Sequence, residues 1–460
     1  MTFSFIDRER ELDALLHVLT SDRFELVVLY GRRRVGKTEL IKQSVQGYTH
    51  LYYLAIEENN LERFYELCVE IDPELRHYQH DYESLFDALK TRVQIVIIDE
   101  FQNLIRENPG IISLLQSIID TSLKDSRLKI FLLGSSISII QARVLDYASP
   151  LFGRRTASFL LAPMRFADIA GFFPGASVES LVEIYGFADG IPAYLKEVEL
   201  PFWPWLLDNL MSLKNLFRDE VDFLLRYEFS SPVVHRQILD AIAHGKTKLN
   251  EIKQAMGVKR TDITPYLRNL IDTGLVIREV PVTESEQSRF GRYYIRDNFV
   301  KFWFRFIYPS LSAIEGGFFR VTTIQDKYPE YLGFVFEQIA RQYLIANPVF
   351  PFTKIGRWWG QAGEIDLMAM DQETDQVLYG SCKWRDNVSA FALLQDLDAV
   401  AEQVVWRKDT RITSYILFAK SFAKTCDRFN GSDVTCVDLA TLQKMMSSRT
   451  SVSREDSYKG

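Results

Sequence analysis

Apolar positions in the first third of the chain fall into short, nearly unbroken runs. FELVVLY (24–30), VQIVIID (93–99), KIFLLG (129–134) and TASFLLAPM (156–164) are strand-length stretches rich in Val, Ile, Leu and Phe. Runs of this kind predict buried strands. Each of the first three ends in residues that carry chemistry: Gly-Arg-Arg-Arg, Asp-Glu and Ser-Ser. A helical stretch, KTELIKQSV, follows the first run.

The pattern changes over 235–296. HRQILDAIAHGKTKLNEIKQAMG predicts two short amphipathic helices. Ile263, Leu267 and Leu270 then recur at i, i+4 and i+7, one face of a third helix, which Gly274 ends. LVIREVPV and RYYIRD alternate as two strands around the polar loop TESEQSRFG. Three helices and a two-stranded wing predict a winged helix-turn-helix. Farther on, a helix at GFVFEQIARQYL (333–344) precedes strands at FTKIGRWWGQAGEIDLMAM, QVLYGSCKWR and TSYILFAK. The aromatic stretch FVKFWFRFIYP (299–309) is broken by Lys301 and Arg305 and reads as core or a domain interface. The tail, 447–460, is polar and aperiodic and is expected to be disordered.

Composition narrows this little. A length of 460 residues suits two to four domains at about 100–200 residues each. The apolar share of 47% and charged share of 25% are those of an ordinary globular protein. A net charge of −7 argues against wholesale wrapping of nucleic acid but leaves room for a local basic face. Four scattered cysteines, with no CxxC, disfavour a zinc site and favour a reduced, cytoplasmic setting. The N-terminus is charged within its first ten residues, unlike a signal peptide, and no apolar run approaches the roughly 20 residues of a membrane span.

The strongest chemical signal is Gly31-Arg32-Arg33-Arg34-Val35-Gly36-Lys37-Thr38, followed by Glu39. It fits GxxxxGK[ST] between a strand and a helix. Glycines let backbone N–H groups face phosphates, and the helix N-terminus adds partial positive charge. Lys37 would reach the β- and γ-phosphates, and the Thr38 hydroxyl would ligate Mg²⁺. Asp99, ending a buried strand, suits the same Mg²⁺, and Glu100 suits a base that polarises water. The expected cofactors are therefore ATP and Mg²⁺. Ser135 or Ser136 would sense the γ-phosphate or simply cap a turn. Arg154 and Arg155, in LFGRRT, would stabilise transition-state charge as a finger, in cis or from a second copy, or form a surface ion pair.

These motifs, together with FIDRERELDALL (5–16) and GIPAYL (190–195), resemble the archaeal-type ATPase family of the STAND class, part of the AAA+-like P-loop world. The resemblance covers about residues 1–230 and implies an ATP-driven switch. It implies that Phe5, Ile6 and Arg8 lie near the adenine and that GIPAYL begins a helical lid. YYIRDNFVKFWFRFIYP resembles the junction between this ATPase and its C-terminal domain. From about 310 to 440, the order of Glu337, Asp366 and Lys383 resembles the PD-(D/E)xK, restriction-endonuclease-like fold. In an active site of that kind two acids bind Mg²⁺ and the lysine orients water. This chain has Ser381 where the pattern places an acid, and a hydroxyl is a poor Mg²⁺ ligand beside a carboxylate. Strand alternation puts Glu364 on the face of Asp366, and Tyr379, Ser381 and Lys383 on one face of the next strand. Glu337 or Glu364 would have to replace the missing acid.

The reading is an α/β P-loop ATPase core (1–165), a helical lid (166–230), a winged helix (231–298), a linker (299–330), a nuclease-like domain (331–446) and the tail. Function is read as an ATP-binding and hydrolysing switch coupled to a degenerate, nucleic-acid-binding endonuclease-like domain. The alternatives are an active metal-dependent DNA nuclease and a signalling scaffold that binds a protein partner. Lys246, Lys248, Lys259, Arg260, Arg268, Arg289 and Arg292 would serve DNA contact by the winged helix. Glu251, Asp262, Asp272, Glu284 and Glu286 dilute that field, and the module would otherwise pack as a lid. Trp358, Trp359 and Trp384 are expected in the core. A homo-oligomer is compatible with the finger; a membrane partner is not expected.

Overall fold

The computed structural model describes residues 6, 8–212, 216–258, 261–444 and 446. Phe5, Lys259, Arg260 and the tail lie outside them. The chain divides into two compact units. One runs to Pro163 and includes Ile191–Ala193; the other holds Met164–Gly190 and everything from Tyr194 onward.

The first unit is built on β1 (Glu25–Tyr30), β2 (His50–Leu54), β3 (Ile95–Asp99), β4 (Lys129–Gly134) and β5 (Ala157–Leu160). Their order is β2-β3-β4-β1-β5 and every pairing is parallel. β3 and β4 are buried along their whole lengths, as expected of strands covered on both faces by helices. β5 alternates between half-buried and exposed and pairs only with β1, so it is an edge strand. One large core cluster joins Val28, Val96, Ile130 and Leu132 to Phe64, Phe86 and Leu115 of the covering helices. Because β4 lies between β1 and β3, the phosphate loop, Ser135 and Asp99 emerge side by side at the C-terminal ends of the parallel strands.

The second unit begins with helices around an aromatic core. Phe187 has ring neighbours at 5.0–5.8 Å in Phe202, Trp205, Phe217, Phe299 and Phe302. Residues 299–330, read above as a linker, contain the helical segments Asn298–Phe302, Trp303–Ile307, Leu311–Glu315 and Thr322–Gln325. Phe299, Phe302, Trp303 and Phe304 are fully buried there. Tyr331 ties this layer together by donating to the carbonyls of Gly186 (2.7 Å) and Asn298 (2.9 Å).

Helices Pro232–Ala243, Leu249–Ala255 and Thr264–Asp272 follow, then the antiparallel pair β6 (Val276–Glu279) and β7 (Arg292–Ile295). Ile263, Leu267 and Leu270 are buried. Gly274 adopts φ +73°, the left-handed conformation that ends the third helix.

The last six-stranded sheet has β8 (Lys354–Gly360), β9 (Gly363–Met370), β10 (Gln376–Lys383), β12 (Ile412–Ala419), β14 (Arg428–Phe429) and β15 (Ser432–Val437), in the order β14-β15-β12-β10-β9-β8. The short strands β11 (Val388–Ser389) and β13 (Phe422–Lys424) pair separately. β8, β9 and β10 form an antiparallel meander; β10, β12 and β15 are parallel. Helix Ala390–Ala401 shares a core with Ile365, Met368, Tyr379 and Leu417. Helix Tyr328–Ala346 packs through Phe336 and Tyr343 against Trp384 and Phe418. Between β8 and β9 the register slips at a bulge, so that Gly356 opposes Met368 but Trp358 opposes Ile365. Ile365 and Met368 therefore both reach the same core, a three-residue step that strict alternation does not allow.

Candidate functional site

The phosphate loop leaves β1 at Gly31, whose φ is +154°. A Cβ there would stand 2.4 Å from the Leu161 carbonyl oxygen, so only glycine fits. Arg34 (φ +70°) and Gly36 (φ +97°) take left-handed conformations, and helix Lys37–Ser44 starts directly after them. Val35 is buried beneath the loop. Lys37 is buried too, and its ammonium donates to the carbonyls of Gly31 (2.8 Å) and Arg32 (3.1 Å), arching back over the loop. Arg32, Arg33 and Arg34 are half-buried and Glu39 is exposed in the helix's first turn. Ile6 is half-buried. Arg8, just ahead of helix Glu9–Leu19, donates to the carbonyls of Ala162 (2.7 Å) and Val35 (3.4 Å) and so touches the loop's own backbone.

Asp99 is brought to the loop from two strands away. Its Oδ2 accepts from the Thr38 hydroxyl at 2.8 Å and from the Tyr52 phenol at 2.6 Å, while Oδ1 accepts from the Glu100 N–H at 2.8 Å. Burial, then the Asp99 carboxylate, pushes the Tyr52 phenol pKa up, so it remains a donor. Thr38 and Asp99 together offer the hard oxygen ligands that suit Mg²⁺. Glu100 has φ +54°, an uncommon conformation for a non-glycine residue. Its Oε2 accepts from the Ser135 hydroxyl at 2.5 Å and from the Gln102 amide. Gln102 and Ser135 also bond each other. Ser136 is fully buried beside them.

The two arginines differ. Arg154 forks onto Asp120, Nε to Oδ1 at 3.0 Å and Nη2 to Oδ2 at 2.7 Å, and holds that carboxyl below its ordinary range. The Arg155 guanidinium lies over the Phe152 ring at 5.3 Å, with Nη1 buried and without a hydrogen-bond partner.

In the second unit, the residues singled out around Asp366 do converge. Asp366 Oδ2 accepts from the Ser381 hydroxyl (3.0 Å) and the Cys382 N–H (2.8 Å), with the Lys383 ammonium at 3.9 Å. Glu337 and Glu364 meet at a residue the sequence reading did not pick out. Arg357 Nη2 lies 3.3 Å from Glu337 Oε2 and 3.9 Å from Glu364 Oε2. Its guanidinium sits over the Tyr294 ring at 5.2 Å. Burial is the largest single influence and opposes the Arg357 charge, but Glu337, Tyr294, Glu279 and Asp366 together outweigh it and the pKa rises. Burial pushes the Glu337 carboxyl up to about 7, Arg357 pulling against it and Asp366 adding to it. Among the described residues, no group of three or more His, Cys, Asp or Glu side chains is arranged to hold a metal ion.

Arg292, expected to contact DNA from the wing, pairs with Glu364 at 2.6 Å and covers the Trp359 ring at 4.6 Å. The Val282 N–H donates to the Arg357 carbonyl at 2.9 Å. This side of the hairpin is thus committed to β8 and β9. Lys246, Lys248, Arg268 and Arg289 are exposed, Lys248 in an ion pair with Glu251. Trp359 is buried, whereas Trp358 and Trp384 are half-buried.

Tyr52, Gln102 and Arg357 were invisible to spacing. They sit on separate elements, and Tyr52 and Arg357 reach Asp99 and Glu337 only through strand order and packing. The DEFQ run placed Gln102 two residues from Glu100, the one local hint available.

Comparison with known proteins finds an ATPase domain in the N-terminal part of the chain. Residues 5–198 match a family model described as an ATPase domain predominantly from Archaea, and residues 303–394 match one of archaeal and bacterial proteins of unknown function. A protein of Methanocaldococcus jannaschii, itself uncharacterised, is 48% identical over 387 residues, 83% of this chain and 88% of its own. An ATP-binding protein of the same organism is 45% identical over 43 residues, 9% of this chain and 73% of its own. Among solved structures, a Walker-type ATPase of Pyrococcus abyssi shares the fold, with a TM-score of 0.51 at 24% identity, covering 65% of this chain and 96% of that one. The chain belongs to the archaeal-type P-loop ATPase family, with the ATPase domain in its N-terminal part and the second matched domain behind it.

Proposed function

We propose that this protein is a Mg·ATP-driven switch whose C-terminal domain is an endonuclease-like frame used for binding. The observation that carries the ATPase reading is the Thr38–Asp99 hydrogen bond at 2.8 Å, between the end of the phosphate loop and the end of β3. Thr38 and Asp99 would hold Mg²⁺, which neutralises phosphate charge when bound. Lys37 would hold the β- and γ-phosphates. Glu100 would orient water, and its clasp by Ser135 and Gln102 would set when it does so. Arg155 is favoured over Arg154 as the finger, because Arg154 is already fork-bonded to Asp120.

The endonuclease-like reading is supported by the order of helix Tyr328–Ala346, the antiparallel meander and the parallel strands β10 and β12. The binding rather than cutting role is supported by Ser381, which donates to Asp366 where the resemblance expects a second acid. DNA is the partner favoured for the winged helix, through exposed Lys246, Arg268 and Arg289. No helix among the described residues is long and apolar enough to cross a membrane.

Lys37→Ala tests the core of the reading. A fluorescent ATP analogue should bind at least about tenfold more weakly, a loss of about 1.4 kcal/mol or more, and turnover should fall to background. Unchanged turnover would overturn the ATPase assignment. A DNA mobility-shift assay with and without ATP then separates the nucleic-acid switch from a scaffold for a protein partner.

A further inference from the structure

The endonuclease-like reading implies divalent metal ions at Asp366, and the residues present do not fit them. We propose that the Arg357 guanidinium is the permanent cation of this pocket, so that the C-terminal domain takes its ligand without a divalent metal.

The first argument is position. Glu337 reaches the pocket from helix Tyr328–Ala346, and Glu364 and Asp366 reach it from β9. These are the acids a metal would need. Arg357 enters between them from β8, opposite the bulge that sets Asp366 and Leu367 against one partner residue. One of its nitrogens, Nη2, faces both Glu337 and Glu364. Bulges re-aim side chains at such places. The side chain is held by its surroundings: it is only 17% exposed, the Tyr294 ring lies under the guanidinium, and its backbone carbonyl accepts from Val282.

The second argument is charge. Each carboxylate already has its own cation: Glu337 has Arg357 at 3.3 Å, Glu364 has Arg292 at 2.6 Å, and Asp366 has Lys383 at 3.9 Å. Three acids against three bases leave no excess negative charge to draw in a divalent ion. An arginine does not lose its proton to make room for one. Mg²⁺ sites need free, hard oxygens in near-octahedral order. Asp366 Oδ2 already accepts two hydrogen bonds, from Ser381 and from the Cys382 backbone.

This inference rests on the endonuclease-like reading of the domain and goes beyond it, because it says which cation the frame uses. The experiment is Mn²⁺ titration of the nucleotide-free full-length chain, read by electron paramagnetic resonance. The parent and Asp366→Asn should bind the same number of Mn²⁺ ions. Arg357→Met should gain one Mn²⁺ per chain, and Arg357→Met combined with Asp366→Asn should lose it again. A Mn²⁺ bound by the parent and lost in Asp366→Asn would overturn the proposal, and that comparison does not depend on the Arg357 variant folding. So would a folded Arg357→Met chain, checked by thermal unfolding, that gains no ion. A DNA-binding assay on the same proteins keeps the two readings apart. Mn²⁺ uptake by the parent together with DNA cutting would sink the inference and leave the endonuclease-like reading standing. The Mn²⁺ gain in Arg357→Met without DNA binding by any form would do the reverse for nucleic acid as the ligand.

Discussion

Gly31→Ala is the substitution whose outcome the loop geometry fixes most tightly. The added Cβ would lie 2.4 Å from the Leu161 carbonyl oxygen, and real contacts essentially never fall below 3.0 Å. The two backbones must therefore separate by at least the difference, 3.0 − 2.4 = 0.6 Å. They cannot do so freely, because the Leu161 N–H is bonded to the Tyr30 carbonyl at 2.8 Å and the Gly31 N–H to the Gly134 carbonyl at 3.2 Å. Crowding of this sort costs about 1–3 kcal/mol, and a φ suited to glycine adds about 1–2 kcal/mol. A total near 3 kcal/mol should lower the melting temperature of the nucleotide-binding unit by about 6–12 °C. Gly47→Ala is the control. Gly47 also has positive φ, at +86°, but its Cβ would meet nothing within 4 Å. It should lose only about 1 kcal/mol, or about 2–4 °C. Calorimetry of the full-length chain gives the transition, and titration with a fluorescent ATP analogue gives binding. Gly31→Ala should also weaken nucleotide binding, since the Gly31 carbonyl accepts from Lys37. If Gly31→Ala melted with Gly47→Ala and bound nucleotide like the parent, the loop would not run against Leu161 as described.

Two other outcomes follow. The Glu337 pKa is raised to about 7 from an ordinary 4.5, so the folded chain keeps a proton that the unfolded chain loses first. Stability from that proton is fully present below about 4.5 and is lost as pH rises to about 7. Relative to Glu337→Gln, urea unfolding of the C-terminal transition should weaken by about 2–3 kcal/mol over that window; parallel pH profiles would refute the burial argument. At the nucleotide site, Arg155→Ala should reduce turnover about 10³-fold or more, as loss of a finger does. Arg154→Ala and Asp120→Asn, which break a solvent-screened pair, should each leave the melting temperature nearly unchanged and turnover within a few-fold. Equal losses from both arginines in a steady-state ATPase assay would reverse the assignment.

Much of this protein was legible because the signals are local. The phosphate loop needs a strand, a glycine turn and a helix start within fifteen residues, and neighbours in sequence supply all three. The buried runs ending in Asp99 and Gly134, the helix face of Ile263, Leu267 and Leu270, and the stop at Gly274 are local in the same sense. Around the C-terminal pocket, Glu337, Asp366, Ser381 and Lys383 were singled out by the resemblance to the endonuclease-like pattern, and Glu364 by strand alternation. β2 was not read as a strand, since HLYYL is a five-residue run with no turn signal of its own beside it, and with it went Tyr52. Nor could the chain's order reveal that β4 separates β1 from β3. That ordering is what seats Ser135 next to Glu100.

The pocket shows the division most clearly. Alternation along β9 correctly grouped the acids, but it could not foresee a bulge that places Asp366 opposite Arg357. It could not tell that an arginine four residues before Gln361 would stand between Glu364 of β9 and Glu337, which comes from a helix and lies twenty residues upstream. Secondary-structure type is set by each residue's own torsional preferences and its near neighbours. Strand order, register slips and the partner of a buried charge are set by contacts between segments far apart in the chain. Only packing decides among them, because a buried charge must be matched wherever the folded backbone happens to bring it.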